Sequence, residues 1–98
     1  MMGLGNALTE EFIVENGLVF TDRMARYRVP SIIFTPEITK IVVEHPTAGG
    51  PYGAKGVGEI VSIPTTPAIT NAVYNAIGVR IDRLPVDKAE IIRKLQLG

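Results

Sequence analysis

The stretch Pro51–Glu59, PYGAKGVGE, holds the residue types in this sequence that are best suited to binding or catalysis. Its glycines surround Lys55, and it ends on the carboxylate of Glu59. Glycines let a backbone pass close to a ligand and present N–H groups to it. A carboxylate held at the end of such a loop, beside a cofactor, can take up a proton as a general base. One interpretation is therefore a ligand-binding loop that presents Glu59.

Other interpretations of the same stretch stay open at this point. Runs of glycine and proline most often mark turns without chemistry, in which case Glu59 is a solvated surface residue. The spacing is not that of a phosphate-binding P-loop, because Lys55 is followed by Gly56 and Val57 rather than by serine or threonine. The letters GAKG match the GxxG loop of modules that bind single-stranded nucleic acid, although that loop joins two helices.

The composition predicts one folded domain over residues 1–98, with 46% hydrophobic residues and a net charge of zero. Neutrality argues against electrostatic capture of nucleic acid or of an anionic membrane. The absence of cysteine excludes disulfides and any iron–sulfur cluster bound by this sequence. No apolar run reaches the length of a membrane span, so we expect a cytoplasmic protein with no membrane segment. The single histidine, His45, is expected at the surface, and no metal ligands are predicted.

Local patterns predict the elements around the glycine-rich stretch. A short helix is expected in the first eleven residues, where its glycines indicate that another backbone passes close by. Asn16-Gly17 between two β-rich runs predicts a hairpin. Irregular extended structure is expected over residues 23–36, a strand over Ile38–His45, and a short extended piece from Ile60 to Pro64.

The last third of the chain predicts two helices and a strand. Thr66 is expected to cap a helix that Gly78 ends, and residues 79–85 alternate as a strand does. Asp87 is expected to cap the final helix, with Glu90 completing a capping box. The predicted fold class is α+β, with two layers in which a mixed sheet carries helices on one face.

Four stretches together carry a resemblance: MGLGNALTEE, PYGAKGVGE, TPAITNAVYNAIGVRI and RLP. In this order and spacing, the chain resembles the C-terminal part of the molybdenum-cofactor-binding subunit of the xanthine dehydrogenase and aldehyde oxidase family. In that family, the glutamate that ends the Gly-Val-Gly-Glu motif is the active-site base, which is Glu59 by position. The resemblance implies that Gly56, Val57 and Gly58, together with Lys55, lie near the molybdenum–molybdopterin cofactor. Many relatives have proline directly after that glutamate, whereas this chain has Ile60.

The resemblance also implies an activity that this chain shares with other polypeptide. Family members hydroxylate a small molecule, an N-heterocycle or an aldehyde, with oxygen from water, and pass electrons to iron–sulfur clusters and often FAD. Those groups are expected only on partner subunits or domains, and most cofactor contacts lie in the upstream part of the molybdenum subunit. A partial molybdenum-cofactor-binding domain of this kind is expected to be inactive alone. The alternatives are a non-catalytic module that self-associates as a homo-oligomer, and a GxxG nucleic-acid binder.

Overall fold

The computed structural model describes residues 1–97. Four α-helices, two short strands and two 3₁₀ turns follow one another along the chain. They are α1 (Met2–Leu8), β1 (Val14–Glu15), β2 (Leu18–Val19), α2 (Met24–Tyr27), the 3₁₀ turns Ile32–Phe34 and Pro51–Gly53, α3 (Thr65–Ile77) and α4 (Lys88–Leu97). Helices and an antiparallel pair of strands together give the α+β class that the sequence predicts.

The packed centre of the chain is the contact between α1 and α3. Gly3 is buried, and a β-carbon added to it would lie 2.6 Å from Cβ of Thr65. The Thr66 hydroxyl donates a hydrogen bond to the carbonyl oxygen of Gly3, 3.2 Å away. The expectation that the glycines of the first helix admit another backbone is therefore confirmed. The expectation that Thr66 caps α3 is wrong, because the helix begins at Thr65 without a side-chain cap and the Thr66 hydroxyl is bonded to α1 instead.

The hairpin forms where Asn16-Gly17 predicts it. Both turn residues have positive φ, 50° for Asn16 and 79° for Gly17, which is the backbone of a type I′ turn. Val14 then faces Val19 in the antiparallel register. The Phe20 N–H closes the hairpin by donating to the Ile13 carbonyl oxygen at 3.0 Å.

The ends of α3 and α4 agree with the sequence-based predictions at two positions and differ from them at a third. Gly78 ends α3 with φ 71°, and its N–H donates to the Tyr74 carbonyl oxygen at 2.7 Å. Asp87 caps α4, since its Oδ1 accepts the N–H of Ala89 at 2.8 Å. Glu90, however, does not complete a capping box, because its carboxylate pairs with Lys94 one turn later, at 2.9 Å.

The mixed sheet with helices on one face is not found among residues 1–97. The expected strands at 38–45 and 79–85 form no strand pairing, and residues 83–85 are a bend. The expected extended piece at 60–64 is a turn. The Ser62 N–H closes that turn by donating to the Glu59 carbonyl oxygen at 2.9 Å. Residues 23–36, expected to be irregular, include α2 and one of the 3₁₀ turns. Strands need neighbours to satisfy their backbone groups, and local sequence does not supply those neighbours.

Little apolar side-chain surface is buried within this part of the chain. Among the described residues, Ala7 and Val79 are the apolar side chains that count as buried. Exposed aliphatic and aromatic side chains occur along the hairpin, through residues 29–43 and on α4, at Ile92 and Leu95. In the described range, no helix is both long and apolar enough to cross a bilayer.

Candidate functional site

The glycine-rich stretch begins in a tight turn that its own backbone closes. Thr47 donates its N–H to the Gly53 carbonyl oxygen at 3.2 Å, and the Gly53 N–H donates to the Gly50 carbonyl oxygen at 3.1 Å. Gly53 has φ +75°, and a β-carbon there would lie 2.9 Å from Cβ of Pro46. Glycine is therefore required at position 53 both by the backbone conformation and by the close approach of Pro46.

The chain opens after this turn. Residues 55–58 have neither helix nor strand structure, and Lys55 and Val57 are exposed. A β-carbon added to Gly56 or Gly58 would have no heavy atom within 4 Å. Nothing inside the described part of the chain thus explains these two glycines by packing, in contrast to Gly53. Their bare backbone faces space that another molecule can enter.

Glu59 follows directly at the start of the turn that leads into α3. Its carbonyl oxygen accepts both the N–H and the hydroxyl of Ser62, the latter at 2.8 Å. Its side chain is exposed and, among residues 1–97, takes part in no hydrogen bond or ion pair. The backbone of Glu59 is therefore fixed while its carboxylate is available to another group.

The α1–α3 contact holds this turn in place from the other side. The Thr65 hydroxyl donates to the Val61 carbonyl oxygen at 3.0 Å, and Thr65 itself packs against Gly3 of α1. Ser62 and Thr65 were not singled out in the sequence. The signal that could have found them is the occurrence of hydroxyl residues just after a turn, where they bond to nearby backbone groups.

The exposed loop presents an open face rather than an enclosing pocket. Open backbone at Gly56 and Gly58, one cation and one unpaired carboxylate are the features that a group approaching from outside would meet. Within the described residues, no cluster of three His, Cys, Asp or Glu side chains could hold a metal ion.

A broad concave region lies away from the glycine-rich stretch. It has a volume of about 950 Å³ and is lined by residues of α1, of the segment 28–34 and of the turn before α4. None of residues 55–59 lines it. We therefore base the candidate site on the loop and its carboxylate, not on this depression.

Several surface residues outside the open loop have simpler surroundings. His45 is exposed, as expected, and Tyr52 is fully exposed at 107%. Arg26 pairs with Asp22 at 3.2 Å on the surface. The GxxG interpretation is disfavoured because GAKG begins in the 3₁₀ turn Pro51–Gly53 and is followed by another turn, so it does not join two helices.

Comparison with known proteins gives consistent results over nearly all of the chain. No family model matches the chain. It is 36% identical over 94 residues to a probable xanthine dehydrogenase subunit of Bacillus subtilis (strain 168), covering 96% of this chain. It is 39% identical over 100 residues to the 6-hydroxypseudooxynicotine dehydrogenase complex subunit gamma of Paenarthrobacter nicotinovorans, covering 98% of this chain. It is 37% identical over 97 residues to the aldehyde oxidoreductase molybdenum-binding subunit PaoC of Escherichia coli (strain K12), covering 96% of this chain.

In each of these three comparisons the chain spans 13% of the length of the relative. The similarity nevertheless covers nearly all of this chain. The resemblance drawn from the four motifs is thus confirmed. The chain is a homologue of the molybdenum-binding subunits of the xanthine dehydrogenase and aldehyde oxidoreductase family, and matches a small part of them.

Proposed function

We propose that this chain is the C-terminal part of the molybdenum-binding subunit of a molybdenum hydroxylase, and that Glu59 is its general base. The observation that carries the proposal is a carboxylate with a fixed backbone and an unpaired side chain. It ends a glycine-rich loop whose open side has no neighbour within the described part of this chain. Similarity to xanthine dehydrogenase and aldehyde oxidoreductase subunits supports the reaction class.

The residues of the loop fit a cofactor that another polypeptide holds. When bound, the molybdenum–molybdopterin group supplies the oxidation and reduction chemistry. The backbone of Gly56 and Gly58 approaches the group without steric hindrance, and Lys55 offers a cation to its anionic parts. Val57 covers the loop with an apolar side chain and excludes water from that side.

Glu59 acts on the proton of the nucleophile. One of its carboxylate oxygens accepts a proton from the water whose oxygen is added to an electron-poor carbon of an N-heterocycle or aldehyde. Ser62 keeps the Glu59 backbone in place by two hydrogen bonds to its carbonyl oxygen, so the carboxylate keeps its direction during the transfer. General-base assistance of this kind is worth roughly 10²- to 10⁴-fold in rate.

The other parts of such an enzyme come from other polypeptide. The remainder of the molybdenum subunit provides most cofactor contacts, and iron–sulfur and flavin subunits accept the electrons. Alone, the chain is expected to hold no molybdenum and to catalyse no turnover. An orphan module that self-associates is the other candidate, and the exposed apolar side chains of residues 29–43 are the observation in its favour.

The test uses a chimaera in which this chain replaces the matching stretch of the Bacillus subtilis relative. The chimaera is expressed in a strain from which the gene for that relative has been deleted, so the host supplies the other subunits. We expect Glu59→Gln to lower xanthine turnover per bound molybdenum by roughly 10²- to 10⁴-fold with metal content unchanged. Glu15→Gln, which removes an exposed carboxylate on β1, is the matched control and should leave turnover unchanged. Equal turnover in the Glu59→Gln chimaera and its parent would refute the proposed role.

A further inference from the structure

The segment 36–46 has the residue pattern of a strand but, in the described structure, neither helix, turn nor strand pairing. Among the described residues, none of its N–H groups or carbonyl oxygens takes part in a hydrogen bond. The bonds nearest to it on either side are Thr35 to Ile32 and Thr47 to Gly53. Backbone groups buried on assembly must be paired, and eleven consecutive residues without a backbone bond are therefore available for pairing.

The side chains of this segment show what kind of strand it forms. Ile41, Val42 and Val43 are exposed to 81%, 85% and 85%. Successive side chains of a strand point to opposite faces, so three consecutive apolar residues place apolar surface on both faces. Near-continuous runs of Val and Ile are typical of strands that are covered on both sides, not of edge ribbons.

The occupant that completes this strand must bring a sheet of its own. The described part of the chain contains two strands of two residues each, paired with each other. A second copy of the chain would add one more unpaired segment and one more hairpin, which cannot flank and cover a strand on both sides. The relatives, by contrast, extend well beyond this chain, which spans 13% of their length.

We propose that residues 38–44 insert as an interior strand into a β-sheet of the remaining part of the molybdenum-binding subunit. The proposal rests on the proposed function for the identity of that partner. Pairing fixes the segment by main-chain hydrogen bonds on both edges, while its apolar side chains enter the layers above and below the sheet. The pattern that predicts a strand at Ile38–His45 is then satisfied in the assembled protein.

Insertion of this strand also places the catalytic loop. The closed turn from Pro46 to Gly53 follows the strand directly, and the open stretch up to Glu59 follows the turn. The α1–α3 contact holds the far end of the loop through Thr65. With the strand inserted, both ends of the loop are anchored, so Glu59 is positioned by the sheet as well as by its own turn.

The experiment compares amide hydrogen exchange in the isolated chain and in the chimaera with the Bacillus subtilis relative. We expect the amides of residues 38–44 to exchange freely in the isolated chain and roughly a hundredfold or more slowly in the chimaera. Val42→Pro, which removes an N–H from the middle of the strand, should abolish this protection. Lys88→Pro is the matched control, because proline is well accommodated at the first residue of α4, and protection at 38–44 should persist.

The outcomes separate this inference from the proposed function. If the amides of residues 38–44 are unprotected in a chimaera that still oxidises xanthine, the strand insertion is wrong, whereas the proposed function is unaffected. If the amides of residues 38–44 are protected but the Glu59→Gln chimaera keeps full turnover, the strand insertion is supported and the proposed role of Glu59 is wrong. Protection that appears in the isolated chain as its concentration rises overturns the inference in favour of a second copy. If the chimaera is insoluble, the same exchange measurement is made on the isolated chain mixed with the Bacillus subtilis relative from which the matching stretch has been removed, with the same criteria.

Discussion

Glycines in two regions of this chain serve different purposes. At the α1–α3 contact, Gly3 is buried and the place of its missing β-carbon is taken by Thr65. In the open loop, Gly56 and Gly58 have no heavy atom within 4 Å of that place. The first region is explained by packing inside the chain, whereas the second has no explanation inside its described part. The comparison separates a contact that is completed inside the chain from a loop whose glycines have no close neighbour in the described residues.

The same contrast holds for the apolar side chains. Ala7 is completely buried, while Ile32 and Ile33 are exposed to 87% and 86%. Exposure of large apolar side chains over contiguous surface marks an interaction site rather than a monomer surface. The chain matches 13% of the length of its xanthine dehydrogenase relative, and we propose that the remaining part of such a subunit covers this surface.

The largest effect expected within this comparison concerns activity rather than stability. Gly58→Ala in the chimaera should lower xanthine turnover by about tenfold to a hundredfold, because a methyl group would displace the loop from the cofactor. Gly49→Ala is the control, since a β-carbon there likewise has no atom within 4 Å and Gly49 lies outside the proposed site. Steady-state turnover per molybdenum measures the effect. Equal losses of turnover in Gly58→Ala and Gly49→Ala would show that Gly58 has no special role in the loop.

A smaller effect is expected on stability at the packed contact. Gly3→Ala should destabilise the isolated chain by about 1–3 kcal/mol, because its β-carbon would overlap the Cβ atom of Thr65, which cannot rotate away. Gly56→Ala, made in the open loop, should leave stability unchanged. Thermal unfolding followed by the helical circular dichroism signal measures both. If Gly3→Ala instead raised the midpoint, helix propensity would outweigh packing, and α1 and α3 would not lie in close contact.

The smallest expected effect is on the titration of one tyrosine beside α1. Partial burial, followed by the hydrogen bond that the phenol donates to Glu10 and by the negative charge of Glu10, raises the pKa of Tyr27 above its ordinary value of 10.0. The neutral phenol is thus favoured in the folded chain, and its contribution to stability is present below pH 10 and lost as the pH rises through the raised pKa. Glu10→Gln should lower the pKa of Tyr27, while Glu11→Gln should leave it unchanged. Nuclear magnetic resonance titration of the tyrosine ring measures this pKa. An unaltered pKa of Tyr27 in both the Glu10→Gln and the Glu11→Gln variant would show that Tyr27 does not contact Glu10.

The parts of the fold that the sequence predicts well depend on local chemistry. Asn16-Gly17, Gly78 and Asp87 each act through backbone groups a few residues away, and the structure places each as expected. Thr66 could not be predicted in the same way, because its hydroxyl bonds to Gly3, far away in sequence. The unpaired segment 38–45 has the residue pattern of a strand but lacks its partners in the described part of this chain.

The candidate site depended on more than pattern. Its loop is visible in the sequence as a cluster of glycines, but the choice of Glu59 over a solvated surface residue came from the resemblance to a family. The structure adds that Ser62 fixes the backbone of Glu59 while its carboxylate is exposed. Spacing alone could not reveal this, because the hydrogen bonds depend on a turn that was expected to be extended.

The central claim, that Glu59 is the base of the reaction, is tested most directly by the first half of the catalytic cycle. The measurement is the rate at which xanthine reduces the anaerobic chimaera, followed by rapid mixing, so that electron transfer to the final acceptor plays no part. The account predicts that Glu59→Gln slows this reduction by roughly 10²- to 10⁴-fold, with unchanged molybdenum content. Reduction of the Glu59→Gln chimaera at the rate of its parent would contradict the account.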